Sequence, residues 1–334
     1  MRVAVLADIH ANLPALEAVL REVDAAGAEA VVLAGDMTVG PLQAETLDLL
    51  DSLGEKAIWV RGNCERAVVE VFDGRYQPTG ADHEPGVMWS GQQLTRAHRD
   101  RLASLPLTAS VNVDGLGPVL FCHATARDDE EIVLVDSPVE WFVEGFADVE
   151  EQTVVCGHTH MPFDRLAGGR RVINPGSVGM PYGPPTTLAY WALLGPDVTL
   201  RRTPYDLDKA AERLRTSAWP GTAGFVEENI LHGPPSDTRH WRSSPIGLDS
   251  AVRTEVSADG QLWVTSRTRP ASSRAKASGS SHAVKWPPVG SSVQRTIWKK
   301  RSANCRGAGT KSFGKIVTPV GTVTWLFSPG SYST

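Results

Sequence analysis

Two histidines one residue apart, His158 and His160, follow the apolar run Thr153-Val154-Val155-Cys156 and a glycine, Gly157. The run reads as a short buried strand, and the glycine allows a sharp turn at its end. Open α/β sheets place their ligand sites just beyond strand ends, and imidazole is the commonest metal-ligating side chain. Alone, the pair is equally compatible with two surface histidines beside a turn. Other metal-competent side chains stand in the same kind of place. Asp8 and His10 follow the apolar residues 3–7, and Asp36 follows the strand-like residues 30–33. Asn63 follows residues 57–60 and Gly62, and His123 follows residues 118–122. Each has an ordinary alternative: Asp36 as a cap, Asn63 as a turn residue, His123 as a satisfied core histidine. Five separate strands that each end on an oxygen or nitrogen ligand make coincidence the poorer account.

Seven ligands are too many for one tetrahedral zinc and suit two ions that share a carboxylate. Carboxylate, amide and imidazole donors suit Mn²⁺, Fe²⁺, Co²⁺, Ni²⁺ or Zn²⁺ and argue against copper(I) and iron–sulfur clusters. The ligand types do not choose among those five. On an ideal strand His158 and His160 share a face and could chelate one ion, whereas a turn there could split them between two.

The elements that must position these residues begin with a strand at residues 3–7, near-continuously apolar as a strand buried on both faces is. Asn12 can cap the next helix, with Pro14 in its first turn, Leu16, Val19, Leu20 and Val23 on one face, and Gly27 closing it. A strand at 30–33, a helix at 44–53 ended by Gly54, and a strand at 57–60 follow. That alternation argues for a parallel sheet covered by helices. Residues 73–90 read as a loop and 91–105 as one helix. Residues 107–113 and 118–122 flank Asp114-Gly115-Leu116-Gly117 as a hairpin. A helix near 139–146, a hairpin through Gly168-Gly169, strands at 188–194 and 198–202, and helical stretches at 207–216 and 225–231 complete the pattern.

The formal net charge of -5 hides a split: residues 1–240 balance at -16 and residues 241–334 at +11. Five of the ten tryptophans fall in the basic stretch, where no helical period persists. The chain therefore divides into a domain at 1–236 and a basic, Ser/Arg/Gly-rich tail at 237–334, read as disordered or as an out-of-frame extension. A basic arm with interleaved tryptophans is the competing reading, and it would bind nucleic acid. The four cysteines, Cys64, Cys122, Cys156 and Cys305, form no Cys-x-x-Cys and no disulfide framework. Asp8 interrupts the first apolar run, so no signal peptide is expected, and prolines and glycines exclude a membrane helix at 172–196. A cytoplasmic protein without a membrane partner is the expectation.

In this order, Asp8-x-His10, Gly35-Asp36, Gly62-Asn63, a lone His123 and Gly157-His158-x-His160 resemble the calcineurin-like metallophosphoesterase superfamily. Asp8-Ile9-His10-Ala11-Asn12-Leu13-Pro14-Ala15-Leu16-Glu17 and Asn174-Pro175-Gly176-Ser177 resemble its compact bacterial and archaeal branch. The resemblance covers about residues 1–236. It implies an α/β fold of four layers, a β-sandwich of two mixed sheets flanked by helices, with the late strands at Val172, Leu188 and Val198 supplying the second sheet. It also implies one divalent ion on Asp8, His10, Asp36 and His160, and another on Asp36, Asn63, His123 and His158, with Asp36 bridging. The implied activity is hydrolysis of phosphoric esters, as a phosphatase or phosphodiesterase, by in-line attack of a hydroxide between the metals. Asp36, Asn63 and His123 are the implied catalytic residues. The substrate is expected to be a small phosphate ester, nucleotides included.

Two alternatives share the same site: a protein serine/threonine phosphatase and a nucleotide phosphodiesterase. A third, of another class, is a catalytically silent binding scaffold of the same fold. One departure is Cys64, where many relatives have a histidine that protonates the leaving oxygen; a buried cysteine is a small hydrophobe and a poor acid. Asn12 and Arg127 are the candidate substrate contacts, against readings as a helix cap and a solvated loop charge. His83 and His98 lie outside the motifs and read as surface residues.

Overall fold

The computed structural model describes residues 1–232 apart from Thr79, Asp82 and 183–186, and five strand segments beyond them. Its secondary elements open with β1 (Val3–Leu6), α1 (Leu13–Ala25), β2 (Ala30–Ala34), α2 (Gln43–Asp51), β3 (Ala57–Val60) and α3 (Asn63–Phe72). Then come α4 (Glu84–Gln92), α5 (Arg96–Ala103), β4 (Thr108–Val113), β5 (Gly117–Cys122), α6 (Val139–Gly145), β6 (Thr153–Val155), β7 (Phe163–Ala167) and β8 (Arg170–Asn174). β9 (Ala189–Leu194), β10 (Val198–Thr203), α7 (Leu207–Leu214) and α8 (Thr222–Phe225) follow, the last running into a π-helical turn at Val226–Leu231.

These strands form two five-stranded mixed sheets, in the orders β10-β9-β1-β2-β3 and β4-β5-β6-β8-β7. In the first, β1, β2 and β3 are parallel, β9 pairs antiparallel with the free edge of β1, and β10 pairs antiparallel with β9. In the second, β5, β6 and β8 are parallel, flanked by antiparallel β4 and β7. The period-2 alternation of side chains decides the faces. Val3, Val5, Ala30, Val32, Ala192 and Leu194 turn inward and meet Val119, Phe121, Val155 and Ile173 of the second sheet. Ala4, Leu6, Val31, Leu33 and Trp191 turn outward under α1, α2, α3, α4, α5 and α7. Leu120, Cys122, Val154 and Val172 turn the other way, against Phe142 and Phe146 of the α6 region. The result is the helix–sheet–sheet–helix sandwich that the resemblance implies, not a single open sheet.

Four expectations need correction. Only the strand at Val172 joins the second sheet; β9 and β10 extend the first, because β1 offers an open edge to Leu194 and Leu193 at Val3 and Ala4. Residues 73–90 are not all loop: α4 starts at Glu84 with Pro85 in its first turn, and Gly86 lets the Trp219 indole come close enough to donate to its carbonyl at 3.2 Å, where a Cβ would stand 2.6 Å from the ring. The helix read at 91–105 is two, because Thr95 starts a new one by accepting the His98 N–H at 3.0 Å. His98 itself is buried, with Nε2 3.0 Å from Asp48 Oδ1, while His83 is exposed as expected.

By its contacts the chain divides into two units, Met1–Asp249 and Ser250–Thr334. In the second, β11 (Arg253–Val256) pairs antiparallel with β12 (Leu262–Thr265). β13 (Thr296–Lys299), β14 (Phe313–Val317) and β15 (Val323–Phe327) form a three-stranded antiparallel sheet. The rest of the tail reading lies outside the described residues. Among the described residues no helix is long and apolar enough to cross a membrane.

Candidate metal centre

Asp8, His10, Asp36, His158 and His160 all stand in left-handed backbone, with φ of 55°, 45°, 55°, 66° and 58°. For a residue with a Cβ such a conformation costs on the order of 1–3 kcal/mol, and it persists only where the surroundings over-determine it. Here a lattice of main-chain hydrogen bonds does so. The loop after β1 is tied to the loop after β2 by Asp8 N to Gly35 O at 3.0 Å, His10 N to Asp36 O at 3.0 Å and Ala11 N to Met37 O at 3.1 Å. From the other side, Val178 N donates to Ala7 O, Gly179 N donates to Asp8 O, and Ser177 Oγ donates to Asp8 O. Gly35 and Gly62 are the glycines this closeness requires. At Gly35 (φ +87°) a Cβ would overlap the His123 ring, and at Gly62 it would overlap Asp36.

The strand-end side chains converge into two groups, which a third, of His10, Asp36 and Cys64, links. Asp8, His10 and His160 offer ligand atoms within 4.8 Å of one another, and Asp36, His123 and His158 do the same. His160 Nε2 lies 3.3 Å from Asp8 Oδ1 and 3.2 Å from His10 Nε2. Asn63 Oδ1 lies 3.0 Å from His123 Nε2, which places it in the second group. Asp36 Oδ2 stands between the groups, 3.4 Å from His123 Nε2 and 3.8 Å from His10 Nε2. Its Oδ1 accepts the Cys64 N–H at 2.9 Å, at the start of α3.

Carbonyls set the imidazoles, because a carbonyl can face only an N–H. His123 Nδ1 meets Ala34 O at 3.0 Å and His160 Nδ1 meets Met180 O at 2.7 Å, so both rings turn Nε2 inward. His158 is held the opposite way, Nε2 on Glu130 O at 3.2 Å, leaving Nδ1 as its lone-pair nitrogen. Buried oxygen and nitrogen lone pairs that converge like this fit divalent cations by type and spacing.

The electrostatics of the metal-free pocket follow from burial and proximity. Burial, then the neighbouring His160, pushes His10 down to about 4; burial, then His123, does the same to His158. Burial also acts to lower His123, but the Asp36 carboxylate outweighs it and raises the ring to about 10. Burial would raise Asp36, yet the His123 charge opposite holds it well below the carboxylate range. Both His123 nitrogens face acceptors, as an imidazolium requires. Its contribution to metal-free stability is therefore complete below 6.5 and lost as pH rises through 10, while His10 and His158 weaken the fold as pH falls from 6.5 through 4.

A metal ion needs the lone pair that this proton occupies. Binding of Mn²⁺ at pH 8 will thus release about one proton per protein from His123. Titration calorimetry in two buffers of different ionisation heat measures it, and no buffer dependence would show a ring already neutral.

Several residues that hold the site have no metal-ligand signature. Glu65 is fully buried. Its Oε1 accepts from Met37 N, Thr38 N and Thr38 Oγ1 at 2.9, 3.1 and 2.9 Å, and its Oε2 from Asp36 N and Gly62 N at 2.8 and 2.9 Å. Burial and the neighbouring Asp36 charge raise its pKa against those donors. Asn174 donates to Gly157 O at 2.6 Å and to Thr159 Oγ1 at 3.1 Å, which sets the turn carrying both histidines. The sequence signal for these was the Asn174-Pro175-Gly176-Ser177 motif and an acid three residues after Gly62.

The two candidate substrate contacts fall outside the ligand groups. Asn12 is fully buried: Oδ1 accepts from Ala15 N, and Nδ2 donates to Gly179 O and Tyr205 Oη at 3.1 and 3.4 Å. That is the helix-cap role, with a second function of bracing the loop that carries Asp8. Arg127 is exposed and forked onto Glu131. Cys64 is buried with its sulfur within ligand distance of His10 and Asp36, and burial followed by the Asp36 charge raises its thiol pKa strongly.

Residues 1–193 match the sequence model of the calcineurin-like phosphoesterase superfamily domain. An uncharacterized protein of Methanocaldococcus jannaschii is 28% identical over 249 residues, 67% of this chain and 97% of its own. The phosphodiesterase YfcE of Escherichia coli is 26% identical over 192 residues, 55% of this chain and 82% of its own. Among solved structures, a metallophosphoesterase from Sphaerobacter thermophilus superposes with a TM-score of 0.53 at 27% identity, covering 68% of this chain and 97% of that one. A hypothetical protein from Pyrococcus horikoshii has the same fold, with a TM-score of 0.59 at 21% identity over 70% of this chain and 99% of its own.

Proposed function

Because the chain belongs to the calcineurin-like phosphoesterase superfamily, we propose that it hydrolyses small phosphoric esters with two divalent ions bound side by side. The observation that carries this reading is Asp36, a single carboxylate whose Oδ2 faces His10 of one ligand group and His123 of the other. Asp8, His10, Asp36 and His160 would hold one ion, and Asp36, Asn63, His123 and His158 the other. When bound, such ions supply an acidified water at neutral pH and neutralise phosphate charge during in-line displacement.

The chain's own groups do the rest. Asp36 brings a negative charge that offsets two cations, and Asn63 adds a neutral oxygen that keeps the pocket cationic toward an anionic ester. The carbonyls of Ala34, Met180 and Glu130 keep three imidazoles in the ligating tautomer. Cys64 has too weak an acid to protonate a departing alkoxide, so esters with acidic alcohols are the better substrates. The strongly acidic balance of residues 1–240 disfavours long DNA and favours a small ester or nucleotide. A silent scaffold is the weaker reading, since all seven ligand positions are filled.

The test is a panel of aryl and alkyl phosphates and bis-aryl phosphates, assayed after chelation and again with Mn²⁺, Ni²⁺ or the other ions. Aryl esters should turn over only with metal restored, and His158→Ala should abolish it. Metal-independent turnover, or none with any ion, would overturn the reading.

A further inference from the structure

We propose that Arg66 is a positioning residue that couples Asn63 to His158 and so sets the affinity of the ion they share; this rests on the two-ion reading above. Asn63 and Arg66 lie three residues apart in the first turn of α3, so their side chains leave neighbouring positions on the helix. Arg66 is two-thirds buried by its side chain and forks across to the loop between β5 and α6. Its Nε and Nη2 meet Asp129 at 3.0 and 2.9 Å, and Nη2 meets Glu130 Oε1 at 2.7 Å. Glu130 is the residue whose carbonyl accepts His158 Nε2–H at 3.2 Å. One guanidinium therefore joins the helix that carries one ligand to the peptide that orients another.

Other contacts show that the loop is built to receive it. Asp129 is almost fully buried and also faces Arg61 Nε at 3.4 Å, just before Gly62. Asp128 Oδ1 accepts the N–H groups of Glu130 and Glu131 at 2.7 and 2.9 Å, which fixes the peptide planes beside Glu130. Two bonds hold His158 from outside its own turn: its backbone N–H goes to the Asp8 carboxylate, and its ring Nε2–H goes to the Glu130 carbonyl. A planar fork that makes three contacts at once is something lysine, a point charge, does not reproduce. The arginine that the sequence singled out, Arg127, faces Glu131 instead.

The experiment is Co²⁺ titration of the full-length, metal-free protein by calorimetry and visible absorption, for wild type, Arg66→Gln and Arg66→Lys. Wild type should take up two ions. Arg66→Gln should weaken one of them about 10–100-fold and leave the other unchanged, the range for losing a residue that orients a ligand. Arg66→Lys should recover only part of that loss. Metal-free melting temperatures close to wild type, together with the loss of the His158 Nε2–H tautomer in side-chain NMR, would separate this role from a general loss of structure. Two ions bound to Arg66→Gln with wild-type affinities, or both weakened equally, overturns the proposal alone. A wild type that takes up no second ion overturns the two-ion reading and this proposal with it.

Discussion

Asp36→Asn should lower kcat for aryl phosphate hydrolysis by at least ~10³-fold, the equivalent of several kcal/mol of lost charge stabilisation. The substitution keeps the size of the side chain and can keep the Oδ1 contact to the Cys64 N–H. It removes the negative charge and turns an N–H₂ toward His123 and His10, where an oxygen had served both. Neither ligand group survives that change intact, so metal content should fall for both ions rather than one. Steady-state kinetics with metal analysis on the same preparation measures both. A variant within tenfold of wild type, with two ions bound, would show that Asp36 is not shared. In the metal-free protein the same change leaves the His123 charge without its partner, so the raised ring pKa should fall back.

Glu65→Ala carries the largest expected cost to the fold itself, on the order of 4 kcal/mol or more from buried donors left without an acceptor. Four main-chain N–H groups, of Asp36, Met37, Thr38 and Gly62, end on this one carboxylate. All but Gly62 lie in the loop where Asp36 is held with φ of 55°. Removing the acceptor both orphans the donors and releases the backbone from its left-handed state. Glu65→Gln retains one oxygen and should fall between wild type and alanine. Urea unfolding of the metal-free proteins reads the difference, and a loss under 1 kcal/mol for alanine would mean that water replaces the carboxylate.

Much of the site was legible because buried strands are conspicuous and each ends on a ligand. Asp8, Asp36, Asn63, His123 and His158 each come first after an apolar run or the glycine that follows it, with His10 and His160 two residues further on, and the structure gathers them. Their geometry was not legible. Spacing left His158 and His160 either on one ion or on two; φ values of 66° and 58° turn them into different groups, and no sequence period encodes that. For Glu65 only the bond from Gly62 N is local; the four that it accepts from residues 36–38 join another loop and leave no trace in the sequence around it. The sheet assignment of β9 and β10 failed for a related reason. An all-buried strand such as Ala189–Leu194 has no polar face to say which edge it joins. Gly86 and Pro85 hid α4, because both residues read as helix breakers until Trp219, more than a hundred positions later, explains the glycine.

The late pairing of β9 with β1, and the bonds from Ser177, Val178 and Gly179 to Ala7 and Asp8, fix the order in which this protein can mature. During synthesis the first ligands emerge well before the segment that forces their backbone into place, and the contact between Asp8 and His158 spans 150 residues. A ribosome-bound chain that has exposed Asp8, Asp36 and Asn63 has side chains able to capture metal loosely but no pocket to choose among ions. Closing of this pocket must therefore wait until the segment that ends at about residue 194 has cleared the exit tunnel, so that an assembled site reports on a folded domain.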